Sequence, residues 1–111
     1  MIQRAILWLA AAYNLVIGAA ALFAPAEHVE ARVVGLLVLC FGVVYALVAS
    51  DIARFRPVLW AGVIGKAGVV VLMAPLVQAG LLPGYVGVIL TGDALFMAAF
   101  VWILLRREGS G

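Results

Sequence analysis

Apolar residues run along this chain in four long stretches, at about 5–24, 33–50, 58–78 and 84–105, divided by short polar segments at 25–32, 51–57 and 79–83. A helix rises 1.5 Å per residue, so about 20 apolar residues cross the hydrocarbon core of a bilayer. Strands of a membrane barrel would need only about 9–11 residues each. Short connections make successive helices antiparallel neighbours. The pattern predicts an all-α integral membrane protein, an up-down four-helix bundle formed by a single domain over 1–108. Residues 109–111, Gly-Ser-Gly, read as a flexible tail.

Composition removes the other classes. Of 111 residues, 68% are hydrophobic and 11% charged, where a soluble domain carries about 45–50% and 25%. A soluble fold this small cannot hide so much apolar surface, and disordered chains are polar or highly charged. One cysteine excludes an internal disulfide framework. Seven Lys and Arg residues, net charge +2, are spread along the chain without the basic stripe that nucleic acid requires. The first stretch exceeds the 7–15 apolar residues typical of a signal peptide and reads as a retained span.

Orientation follows from the arginines. Arg4, Arg54, Arg56, Arg106 and Arg107 fall at one set of span ends and Arg32 at the other, which places both termini in the cytoplasm. Trp8, Trp60 and Trp102 each lie four residues inside Arg4, Arg56 and Arg106. That spacing suits an interfacial belt and an i,i+4 cation–π contact. Tyr85 marks the outer interface. The expected location is the inner membrane of a bacterium. Pro25 and Pro57 suit first turns of helices, and Pro75 either kinks or ends the third span.

The candidate site is a midplane polar cluster of Asn14, Lys66 and Asp93. By helical rise they lie about 14, 12 and 18 Å from the cytoplasmic span ends. A central Lys or Asp costs about 2.5–3.5 kcal/mol on insertion scales, so each wants a partner. Lys66 and Asp93 sit on sequence-adjacent spans and are expected to pair. Tyr13 and Tyr45 are possible accessories. Small residues share the faces of these groups: Ala10, Ala11, Gly18 and Ala21 on the first span, Gly35, Gly42, Ala46 and Ala49 on the second, Gly62 and Gly65 on the third. Membrane helices approach closely where side chains are small. On the fourth span Gly84, Gly87, Thr91 and Ala98 form a stripe opposite Asp93, predicted to face outward and to pack a second copy or another membrane protein.

Other chemistry is sparse. Glu27, His28 and Glu30 cluster outside but fall short of the four N or S ligands of structural zinc, so no metal or cofactor is expected. Cys40 reads as apolar filler, and Asp51 with Arg54 as a solvated loop pair. No nucleophile elbow, zincin, P-loop or dinucleotide motif is present.

Taken in order, Tyr13-Asn14, Pro25, Gly42-x-x-Tyr45, Asp51…Arg54-x-Arg56-Pro57, Gly65-Lys66 and Gly92-Asp93 resemble the small bacterial four-helix DoxX-like membrane proteins over residues 5–107. The resemblance implies the same fold and membrane setting. The type member is a membrane subunit of a thiosulfate–quinone oxidoreductase, but no cofactor ligands here carry that role across. Three functions remain: a non-catalytic membrane module that partners itself or another protein; a small transporter or channel with Asn14, Lys66 and Asp93 as its site; and a lipid- or quinone-binding protein. An enzyme is the least favoured.

Overall fold

The computed structural model describes residues 2–25 and 28–106. It is all-α among these residues. Four long helices, α1 (Ile2–Phe23), α2 (Val29–Ser50), α4 (Leu59–Gln78) and α5 (Gly84–Leu105), are joined in the middle by a one-turn helix α3 (Ile52–Phe55) and a 3₁₀ turn (Arg56–Val58). All four long helices are long and apolar enough to cross a membrane. The protein is membrane-embedded and multi-span. Leu9, Val16, Leu37, Leu47, Ile64, Leu72, Val88 and Leu95 are exposed, as expected where the solvent is hydrocarbon.

The first two helices begin earlier than their apolar stretches do. α1 includes Gln3 and Arg4, and α2 starts at Val29 with Glu30 in its first turn. Helical hydrogen bonding continues through the interface, and Glu30 complements the helix dipole there. Pro25 therefore lies outside α2, between the two helices, rather than in its first turn. Pro57 sits in the 3₁₀ turn that leads into α4. Pro75 neither ends nor directly precedes the end of α4, which runs on to Gln78. The exit is made by Gly80 at φ +77°, with its N–H on the Val77 carbonyl at 3.0 Å and that of Leu81 on the Leu76 carbonyl at 2.9 Å. This is a Schellman ending, and its left-handed residue is a glycine because no Cβ is penalised there.

The described residues up to Arg56 and those from Pro57 onward form two compact units, each an antiparallel helical hairpin. In the first, α1 and α2 meet through glycine. A Cβ on Gly18 would strike the Leu39 backbone, with Leu39 Cα at 2.7 Å and the Gly35 carbonyl oxygen at 2.8 Å. One on Gly35 would meet Leu22 N at 2.5 Å and Ala21 C at 2.8 Å. Gly42 abuts Leu15. The helices therefore touch backbone to backbone, the close approach that drives association where lipid supplies no hydrophobic force. In the second unit α4 packs on α5, where a Cβ on Gly87 would stand 3.3 Å from Val77 Cγ1.

Candidate functional site: the buried polar groups of the two hairpins

Lys66 lies on the third turn of α4 and Asp93 near the middle of α5. The Lys66 ammonium donates to Asp93 Oδ1 at 2.6 Å, with side-chain exposures of 6% and 13%. It also stands 5.6 Å from the centroid of the Phe96 ring, one turn below Asp93 on α5. A carboxylate and an aromatic face thus hold the same cation from one helix, and the lysine supplies it from the other. The charges sit at membrane depth, where an isolated one would be expensive.

Asn14 belongs to the first hairpin. Its side-chain amide donates to the Val38 carbonyl on α2 at 3.2 Å, and the side chain is buried. The bond is reachable because Gly18 and Gly35, one turn away on each helix, let the backbones approach. Tyr45 is buried on α2 with its ring centroid 6.1 Å from that of Phe41, and Tyr13 is half-buried on α1. Each hairpin therefore contains its own interhelical polar tie: amide to carbonyl in the first, ammonium to carboxylate in the second.

A third tie escaped sequence reasoning. Gln3, 2% exposed, accepts at its Oε1 a hydrogen bond of 3.4 Å from Arg56 Nη1, and Arg56 is only 6% exposed. The i,i+4 spacing from Trp60 places Arg56 at the interfacial belt. Its position in the tight 3₁₀ turn after α3 swings it back onto the first turn of α1 instead. Polar residues at the ends of apolar runs read as solvated, so only the three-dimensional turn reveals the pair.

Asp51 and Arg54 are both exposed and pair through the backbone. Asp51 Oδ1 accepts from the backbone N–H of Arg54 at 3.3 Å and caps α3, while the Arg54 guanidinium lies 5.2 Å over the Phe55 ring. A cap satisfies an orphan amide that the short helix would otherwise leave open. Asp51 is thus the cap of this turn.

The packing glycines divide. Gly62 is buried, while Gly65 is exposed, with open space where a Cβ would go. On α5, Gly84 and Thr91 are exposed, and Gly84 also faces open space. Thr91 returns its hydroxyl to the Gly87 carbonyl at 2.9 Å. Gly87 is half-buried, with Val77 Cγ1 3.3 Å from where its Cβ would stand, so it lies at the inner edge of the small-residue face that Gly84, Thr91 and Ala98 expose.

Cys40 is exposed on α2. Among the described residues no three His, Cys, Asp or Glu side chains gather as metal ligands. Glu27 of the outer acidic group lies outside the described residues. In comparisons with known proteins, no family model, no curated protein and no solved structure matches this chain.

Proposed function

We propose that this chain is a small, non-catalytic integral membrane protein of the bacterial inner membrane, DoxX-like in organisation, whose buried polar groups lock its helices in register so that it can partner a second copy or another membrane protein. The observation that carries the reading is the Lys66–Asp93 bond of 2.6 Å, in which each ionised group meets its counter-charge on the neighbouring helix. A buried pair of this kind fixes which helices pair and in what register, even where it adds little net stability. Asn14 on Val38 does the same for the first hairpin.

Partnering is supported by the outward surface. The exposed side chains of α5 include Gly84, Thr91 and Ala98 among larger apolar groups, and lipid alone gives no reason for small ones. A two-fold homodimer is the self-association such a face would make. The transporter and lipid- or quinone-site readings need Lys66 or Asp93 to release its partner to a ligand, and nothing in the pair's closed geometry favours that.

Photo-crosslinking in native membranes tests the proposal. A photoreactive residue at Val88 or Leu95, both strongly exposed on α5, is expected to give a discrete adduct with a second copy or with one other membrane protein. Adducts with lipid alone from every exposed face of all four long helices would overturn it.

A further inference from the structure

The end of the first hairpin where α1 starts and α3 follows α2 carries three arginines, two exposed and one, Arg56, buried. Arg4 is exposed on the first turn of α1 and Arg54 is exposed on α3. The Gln3–Arg56 hydrogen bond of 3.4 Å ties these two segments together. Gln3 adjoins Arg4 and Arg56 is two residues past Arg54, so the two exposed arginines branch from backbone close to that bond, with the Arg54 guanidinium 5.2 Å over the Phe55 ring. The acid at this end is Asp51, whose Oδ1 is turned onto the Arg54 amide in the cap.

The apolar half of a lipid-facing surface lies directly beneath. Trp8, one turn below Arg4 on α1, is 49% exposed, and an indole ring at that level sits at the boundary between headgroups and acyl chains. Leu9, on the same turn, is also strongly exposed. The opposite end of this hairpin differs in charge: exposed Arg32 lies two residues from the exposed acid Glu30 on α2. A surface with two outward arginines at headgroup height, an interfacial tryptophan below them and exposed aliphatic side chains deeper still has the chemistry of a phospholipid with a negatively charged headgroup.

We propose that Arg4, Arg54 and Trp8 form a binding site for an anionic phospholipid, the two guanidinium groups taking the headgroup phosphate and Trp8 the glycerol level of the chain. The Gln3–Arg56 bond acts as a positioning contact, holding the start of α1 against the turn that presents Arg54. The site belongs to the first hairpin alone and does not depend on what the protein partners.

Quenching of tryptophan fluorescence by brominated lipids tests this in a W60F/W102F variant that keeps Trp8 as its sole reporter. In vesicles mixing brominated phosphatidylglycerol with phosphatidylcholine, or the reverse label, the anionic lipid is expected to be preferred beside Trp8 by about thirtyfold, the product of two arginines near the surface. The preference falls close to unity in R4Q/R54Q, is largely kept in R4K/R54K, and is unchanged in R32Q. Equal quenching by both lipids in the parent, or an equal loss in R32Q, would overturn the proposal. So would full competition by millimolar inorganic phosphate, which would make the ligand a free oxyanion. The unmodified protein gives an independent reading. Phosphatidylglycerol raises its melting temperature in detergent more than phosphatidylcholine does, and the absence of any difference counts against the site.

Discussion

Replacing Gly18 by alanine adds one methyl group at a place with no room for it. The new Cβ would meet Leu39 Cα at 2.7 Å and the Gly35 carbonyl oxygen at 2.8 Å, where ordinary contact begins at 3.4 Å. Every obstructing atom belongs to the α2 backbone, so no side-chain rotation relieves the clash. The two helices must part locally by about 1 Å, since repulsion rises steeply inside contact distance. Overpacking of this kind costs about 1–3 kcal/mol. Parting also stretches the Asn14–Val38 bond, now 3.2 Å, past the limit of a useful hydrogen bond. Such interhelical bonds in membranes contribute about 0.6 kcal/mol on average and at most about 1.7. The sum for Gly18→Ala is a loss of about 2–4 kcal/mol. Gly35→Ala, facing Leu22 N at 2.5 Å, belongs in the same range. Gly42→Ala costs less, because two of its three obstructing atoms belong to the Leu15 side chain. Gly65→Ala finds open space and is neutral or gains up to about 1 kcal/mol from helix propensity. Unfolding in mixed micelles, titrated with dodecyl sulfate and followed by circular dichroism, measures the series. Gly18→Ala as stable as Gly65→Ala would refute the close-contact interface.

Three further outcomes are expected. Asn14→Leu lowers stability by about 0.6–1.7 kcal/mol, and by less when Gly18→Ala is already present, because both act on one contact; additivity in the double variant would separate them. Gly80→Ala destabilises by roughly 1–2 kcal/mol through its left-handed φ alone, since its Cβ meets nothing, whereas Gly80→Asn recovers part of the loss in the same unfolding assay. With Cys40 replaced by alanine, a cysteine introduced at position 108 is protected from an impermeant maleimide in intact spheroplasts and labelled in inverted membrane vesicles, as the arginine distribution demands; labelling in intact spheroplasts alone would reverse the assigned topology.

The long helices were legible because hydrocarbon imposes a simple length rule, and the four apolar stretches meet it. Their first turns were less so. Gln3, Arg4, Val29 and Glu30 extend the helices into the interface, where hydropathy is blind to a continuing backbone ladder. Lys66 and Asp93 stood out as charges at membrane depth on sequence-adjacent spans, a setting in which chemistry leaves few partners. The partner of Asn14 was not legible, since its acceptor is the backbone carbonyl of Val38 and every residue carries one. Gln3 with Arg56, and Asp51 on the Arg54 amide, depend on the turn through α3 and the 3₁₀ segment. That turn is set by local dihedral choices that charge spacing does not encode. The small residues of α1 and α2 marked a helix contact from sequence, but which glycines meet backbone and which meet open space, as Gly18 and Gly65 do, is fixed by rotation about the helix axis.

The central claim is that Lys66 and Asp93 lock one helix on another. A thermodynamic cycle over Lys66→Met, Asp93→Leu and the double substitution tests it most directly, read as unfolding free energy in mixed micelles. Removing one member strands the other charge at depth, at a cost of about 3–5 kcal/mol, while apolar replacement of both is close to neutral. A structural lock predicts a double variant that is folded, keeps its crosslinks from Val88 and Leu95, and is more stable than either single variant. A double variant as unstable as the sum of the two singles would show the residues to be uncoupled and contradict the claim.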